Sequence, residues 1–190
     1  MPESSVAAAI SGSSLGRLQA DNIQAYLPGD RRRALAAGNS LPDRVRGCAL
    51  FGDISGFTAF TEALAIDFGP QRGAEELTAA LDAVFDPLLT ELDRYGGDVI
   101  YFSGDAVTAW IDGDDGLAGV ACALAMQQVI DRVGLRTTPS GREFRLELKV
   151  AVAAGTARRF VVGDPDVQLI DVLAGAVIDR LAAAEQLARP

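Results

Sequence analysis

The chain has 190 residues, 49% of them hydrophobic and 23% charged, and carries a formal charge of −9 at neutral pH. This length allows one domain with a full core and a short appendage. The acidic balance argues against nucleic acid as a partner, because phosphate backbones are bound chiefly by surplus Lys and Arg. The sequence contains no histidine, which excludes Ser-His-Asp and Cys-His catalysis and removes the commonest zinc ligand. Any chemistry must therefore rest on carboxylates.

Cysteine content and hydropathy bear on the cellular compartment. Cys48 and Cys122 are the only cysteines, and we expect both to be small buried apolar residues rather than a disulfide, as in a reducing cytosol. No apolar run approaches the roughly 18 residues of a membrane span, and the N-terminus lacks the basic start and long apolar stretch of a secretory signal. The sequence predicts a cytoplasmic protein without a membrane span.

The N-terminal residues divide into two predicted parts. Residues 1–17 are rich in Ser, Ala and Gly without a sustained period, which predicts a flexible tail. Residues 18–44 predict a short helical segment, with one helix over Leu18–Leu27 and a second from Asp30 to about Gly38. This segment either packs on the domain that follows or forms a regulatory or dimer-facing element, and Arg31–Arg33 is interpreted as a solvated helix face.

The first candidate site is a predicted strand that begins near Cys48 and ends on Asp53, followed by a turn and a helix over Phe57–Phe68. An acidic residue at a strand end can face a cleft. Gly56 in the turn lets the backbone approach a ligand, and the unpaired N–H groups of the following helix favour anions. The pattern indicates a metal-bound phosphate. The alternative is a strand-to-helix corner in which Asp53 caps the helix.

A longer helix is predicted from about Gly73 to Tyr95, with Gly96-Gly97 as its stop. Its apolar positions have the spacing of one buried stripe and are interpreted as core. They are Leu77, Leu81, Val84, Leu88 and Leu92.

Two β-rich runs flank Gly104-Asp105, a pair typical of a tight hairpin. If these strands neighbour the first one, Asp53 and Asp105 converge on hard cations such as Mg²⁺, which prefer oxygen ligands and leave positions open for phosphates. Two such ions about 4 Å apart would stabilise both the attacking and the leaving oxygens of an in-line displacement.

The remaining elements complete the predicted fold. Asp112–Gly116 is interpreted as a solvated acidic turn, since it is too short for an EF-hand loop. A strand over Phe144–Ala153 carries Lys149 opposite its buried side. Further predicted elements are a helix over Leu117–Val133, strands over Phe160–Val162 and Val167–Val172, and a helix over Ala176–Leu187. The order predicts an α+β, ferredoxin-like sandwich, with helices on one face of a mainly antiparallel sheet.

At two motifs the chain resembles the class III nucleotidyl cyclases. FGDISGFT, at residues 51–58, is similar to the family's first metal motif, and GGDVIYFSGDAVTAW, at residues 96–110, to its second. The resemblance covers the predicted cyclase domain, residues 45–190. Within the family it points to the first catalytic half of the soluble, bicarbonate-responsive adenylyl cyclases and their bacterial relatives. It implies closure of ATP, or less readily GTP, into the 3′,5′-cyclic monophosphate.

The resemblance also implies roles for individual residues. Asp53, Asp105 and the backbone carbonyl of Ile54 would bind two Mg²⁺ or Mn²⁺ ions, and Lys149 would contact phosphate. Arg180 would be an anion ligand, although both basic residues could instead be structural. The phosphate-cradling amides would be those of Ser55, Gly56, Phe57 and Thr58.

Other positions depart from the family pattern. Tyr101 replaces a lysine that reads adenine or lines the anion site, and Asp179 and Ala183 replace an Asn and a transition-state Arg. The resemblance therefore implies that this chain carries only the metal-binding half of a site. The partner would be a second cyclase-like domain or another copy of the chain. We expect the chain to be the first half of a tandem protein, ending before the domain's last strands.

Two other functions agree with parts of the sequence. A catalytically silent nucleotide-binding or dimerisation module would agree with the replaced residues, whereas the intact aspartates argue against it. A diguanylate cyclase is suggested by Gly96-Gly97-Asp98, but Val99-Ile100 stands where that family has Glu-Phe.

Overall fold

The structure is a computed structural model that describes residues 27–164 and 168–190. The predicted tail, residues 1–17, and the helix predicted from Leu18, as far as residue 26, lie outside the described residues.

The described residues form five helices and seven strands. In chain order they are α1 (Gly29–Ala36), β1 (Arg44–Ser55), α2 (Phe57–Phe68), α3 (Pro70–Arg94), β2 (Gly97–Ser103), β3 (Ala106–Asp112), α4 (Leu117–Val133), β4 (Leu135–Thr137), β5 (Glu143–Arg145), β6 (Glu147–Asp164), β7 (Gln168–Ala174) and α5 (Ala176–Leu187).

Five strands form one sheet in the order β2-β3-β1-β6-β7, with every neighbouring pair antiparallel. The two helices between β1 and β2 carry the chain over the sheet, and the β2–β3 hairpin then returns β3 to pair with β1. Strands β4 and β5 form a separate two-stranded sheet. The predicted α+β, ferredoxin-like sandwich is confirmed.

The placement of every helix on one face was wrong, because successive residues of β1 point to opposite faces and both faces are covered. Cys48 and Leu50 pack in one core with α2, α3 and α4. Ala49 packs in a second core with Trp110 and with Val177 of α5. The last helix therefore covers the face opposite the other three.

The two predicted strands over Phe144–Ala153 and Phe160–Val162 were also wrong in extent. Glu147–Asp164 is one strand of 18 residues. It pairs with β1 as far as Arg158 and with β7 from Arg158 onward. Because this pairing is continuous, the strand is not interrupted between Ala153 and Phe160 as predicted. Phe144 belongs to the separate β5.

The predicted helices otherwise agree closely with the structure. The helices over Phe57–Phe68, Leu117–Val133 and Ala176–Leu187 have the predicted bounds. Helix α3 begins three residues earlier than predicted, at Pro70, because proline's fixed φ suits the first helical position. Its predicted stripe is confirmed, with Val84, Leu88 and Leu92 buried and the other two members packed against the core.

The interpretation of Arg31–Arg33 as a solvated face was wrong for Arg31, which is buried. Its guanidinium pairs with Asp171 of β7. Arg159 of β6 also pairs with Asp171, at 3.1 Å, and with Asp30 of α1. A buried charge is retained only when it is paired, so the sheet supplies the carboxylate that Arg31 needs.

The described part of the chain shows neither a membrane-spanning helix nor a disulfide. None of its helices is both long and apolar enough to cross a membrane. Its two cysteines, Cys48 and Cys122, are free and buried, as predicted. Burial raises the pKa of each thiol to about 11.

Candidate active site

The pairing of β1 with β3 brings the two predicted metal aspartates to neighbouring positions. Asp53 lies opposite Ala106 in the antiparallel register. The amide of Ile54, the residue after Asp53, donates a hydrogen bond of 3.1 Å to the backbone carbonyl of Asp105. The backbones next to the two aspartates are thus hydrogen-bonded to each other, with Asp105 in the hairpin turn. The prediction that the first strand ends on Asp53 was wrong, because β1 continues to Ser55.

Gly56, the turn residue after β1, leads directly into α2. Gly56 is the N-cap, with a left-handed φ of 85°, and no side chain of the described residues caps this helix. The alternative in which Asp53 caps α2 was therefore wrong. A Cβ at Gly56 would lie 2.8 Å from the carbonyl of Arg145, so both conformation and space require glycine here. The first N–H groups of α2 are left to donate hydrogen bonds to an anion.

Lys149 lies directly across from Asp53 in the β1–β6 register. Its Nζ is 3.3 Å from Oδ2 of Asp53 and donates a hydrogen bond to Glu185 of α5. That bond is the chief reason why the pKa of Lys149 is raised, and Asp53 adds to the shift. The three side chains are partly exposed, so the ammonium remains accessible to a ligand.

Asp53, Ser55, Lys149 and Glu185 line one cleft with a volume of about 380 Å³, whose other wall is formed by residues at the end of the chain. Glu185 was not predicted. It follows the buried Leu181 by four residues, so it lies on the helix face that packs against the sheet. That spacing was the one available signal. It points to the site only when α5 is known to cover this face.

Arg180 is not brought to this cleft. Its Nη2 donates a hydrogen bond of 2.8 Å to the carbonyl of Ala154 in β6. Ala154 pairs with Cys48, five residues along β1 from Asp53. The guanidinium therefore lies near the start of α5, whereas Lys149 lies near its end.

The positions that depart from the family pattern are accessible. Tyr101 is exposed on β2 and lines a smaller cavity of about 200 Å³ between the sheet and α5. Asp179 and Ala183 are exposed on α5. All three could therefore meet a partner. Within the described residues, no group of three or more Asp, Glu or Cys side chains is arranged to hold a metal ion.

Comparison with known proteins finds similar sequences among the adenylate cyclases. No family model matches the chain. Adenylate cyclase type 10 of the rabbit, Oryctolagus cuniculus, is 30% identical over 153 residues, which are 77% of this chain and 9% of the relative. Adenylate cyclase type 10 of Homo sapiens is 29% identical over 174 residues, or 88% of this chain and 10% of the relative. The chain thus spans about a tenth of the length of these relatives.

The fold is also that of solved cyclases. A bacterial light-regulated adenylyl cyclase superposes with a TM-score of 0.70 at 19% identity, over 90% of this chain and 49% of the other. An antiparallel sheet that brings Asp53 of β1 next to Asp105 of the hairpin turn, in a sequence similar to adenylate cyclases, is the arrangement expected of a nucleotidyl cyclase domain. The sequence relatives and the shared fold together support a class III nucleotidyl cyclase domain.

Proposed function

We propose that the domain is an adenylate cyclase half that helps convert ATP to 3′,5′-cyclic AMP and pyrophosphate. The observation that supports the proposal is the contact of Lys149 with Asp53, together with the backbone hydrogen bond that places Asp105 next to Asp53, at one end of three paired strands. The choice of ATP over GTP rests on the sequence relatives, which are adenylate cyclases.

The donor set fits the divalent cations that the family uses. Two carboxylates and a backbone carbonyl supply oxygen ligands, which Mg²⁺ and Mn²⁺ prefer. Asp53, Asp105 and the carbonyl of Ile54 would hold two ions. Bound there, the ions would supply positive charge beside the reacting phosphate.

The chain's own groups would bind and orient the triphosphate. Lys149 already lies in the cleft with Asp53 and Ser55, and its ammonium would contact the phosphates. The amides from Ser55 to Thr58, at the uncapped start of α2, would donate hydrogen bonds to phosphate oxygens. Arg180 would bind an anion away from this cleft.

The other half of the site would come from a partner. Tyr101, Asp179 and Ala183 provide neither the base-reading lysine nor the Asn and Arg of a complete site. A lost arginine clamp can remove several kcal/mol of transition-state stabilisation. We therefore propose that residues 45–190 are the first cyclase domain of a cytoplasmic tandem protein. A second cyclase-like domain would complete the site better than another copy of this chain.

The same replaced residues favour one alternative, a catalytically silent module that binds nucleotide and regulates an attached effector. The two functions differ in what a complementary domain does to activity.

The deciding experiment is a cyclase assay with Mn²⁺ and ATP. The chain alone should form little cyclic AMP, and adding a cyclase domain that carries the missing Lys, Asn and Arg should restore formation. Asp53→Asn in this chain should abolish the restored activity. Brisk turnover by the pure chain would contradict the half-site proposal. Failure of the mixture, with nucleotide binding intact, would favour the silent module.

A further inference from the structure

Lys149 is shared between two carboxylates from different elements. Asp53 lies on β1 and Glu185 on α5, and the Lys149 ammonium is hydrogen-bonded to Glu185 while its Nζ lies 3.3 Å from Oδ2 of Asp53. The three side chains are 22–31% exposed, so the ammonium is held by these contacts rather than by tight packing. A lysine stem is long and flexible, so its ammonium can move between neighbouring acceptors.

We propose that Lys149 and a divalent cation compete for the carboxylate of Asp53. Glu185 is then the positioning residue that binds the ammonium and so keeps it away from Asp53 when the cation is bound. This inference rests on the proposed function, because it takes Asp53 as a metal ligand. A cation bound to Asp53 would lie within a few ångströms of the Lys149 ammonium, and like charges at that distance repel. Glu185 offers the ammonium a second acceptor within the same cleft.

The competition has opposite consequences for the two neighbours of Asp53. Removing Lys149 removes the competing charge, so the metal should bind more tightly. Neutralising Glu185 leaves Asp53 as the one carboxylate of the described residues that pairs with the ammonium, so the metal should bind more weakly. Because Glu185 acts through Lys149, its effect should largely vanish when Lys149 is already absent. A direct metal ligand at Glu185 would have the same effect in both backgrounds.

The test measures the affinity of the full chain for Mn²⁺ alone, with the free ion quantified by its electron paramagnetic resonance signal. Lys149→Met and Lys149→Gln should each tighten binding by at least about threefold, and Glu185→Gln should weaken it by at least about threefold. In the Lys149→Met background, Glu185→Gln should change the affinity by less than about twofold. Glu75→Gln, an exposed glutamate of α3 on the other face of the sheet, is the matched control and should change nothing.

The outcomes separate this inference from the proposed function. If Asp53→Asn leaves Mn²⁺ binding unchanged, the proposed metal site itself is wrong. If Asp53→Asn abolishes binding but neither Lys149 variant tightens it, the competition is wrong while the metal site stands. Equal weakening by Glu185→Gln with and without Lys149 would overturn the positioning role and make Glu185 a metal ligand. Lys149→Met and Lys149→Gln are both tested so that the result does not depend on one variant that fails to fold. Thermal unfolding of each variant checks that it is folded.

Discussion

Replacement of Arg159 by alanine should destabilise the domain far more than the same change at its neighbour Arg158. The Arg159 side chain is 1% exposed and pairs with Asp30 and with the fully buried Asp171. Burial alone would lower the pKa of Arg159, but the two carboxylates more than offset this and raise it, so the guanidinium stays charged. Arg158 pairs with Asp43 at the surface, where both side chains are more than half exposed.

The magnitude follows from what each change leaves behind. Without Arg159, Arg31 remains for Asp171, but Asp30 loses its ion-pair partner and the cluster keeps an uncompensated negative charge. Removing one member of a buried ion pair costs about 3–5 kcal/mol, whereas an exposed pair contributes about 0–1 kcal/mol. For a domain of this size, 1 kcal/mol shifts the Tm by about 2–4 °C. Arg159→Ala should therefore lower the Tm by about 6–20 °C, and Arg158→Ala by less than about 4 °C.

Thermal and urea unfolding followed by circular dichroism measures both variants under one set of conditions. Asp30→Asn added to Arg159→Ala should recover about 1–2 kcal/mol, because it neutralises the carboxylate left unpaired. If the two single variants lie within about 1 kcal/mol of each other, the buried cluster does not stabilise the fold in this way.

Three further outcomes are expected. Asp53→Asn and Asp105→Asn should each weaken Mn²⁺-dependent ATP binding at least about tenfold, or about 1.4 kcal/mol, and calorimetry showing unchanged binding in both would refute the assigned ligands. Gly56→Ala should cost more stability than Gly38→Ala in urea unfolding. Both positions have positive φ, but only at Gly56 would a Cβ meet backbone, so equal losses would contradict the close contact. Cys48 and Cys122, with pKa values of about 11, should react with a thiol reagent at pH 8 roughly a hundredfold more slowly than in the unfolded chain, and rapid native labelling would disprove their burial.

The pair of aspartates could be predicted from the sequence because local signals fix both. An apolar strand that carries Asp53 near its end and a hairpin that turns at Asp105 need only one further fact, that β1 and β3 are neighbours. The alternation of side chains along β6 likewise predicted that Lys149 lies on the sheet face opposite to that of its buried neighbour Leu148. These predictions depend on spacing within single elements, which the sequence displays directly.

The contacts that the sequence did not reveal depend on where separate elements lie. Glu185 reaches Lys149 only because α5 covers the second face of the sheet, which no periodicity indicates. Arg31 lies 140 residues from its partner Asp171, in a run whose composition is typical of a solvated helix. Long-range partners of charged residues therefore had to come from the structure.

The position of α1 shows how the sheet is shaped around the site. Arg33 of α1 pairs with Asp98 of β2, and Arg31 pairs with Asp171 of β7. Strands β2 and β7 are the opposite edges of the five-stranded sheet, yet they approach each other. Two arginines only two residues apart on one helix can reach both edges because the sheet is strongly curled. Because of the same curl, Tyr101 of β2 and Leu173 of β7 line one cavity together with residues of α5. One of those α5 residues, Glu185, also lines the cleft that contains Asp53. A helix that precedes the sheet in sequence thus bridges the two edges whose approach shapes the space beside the candidate site.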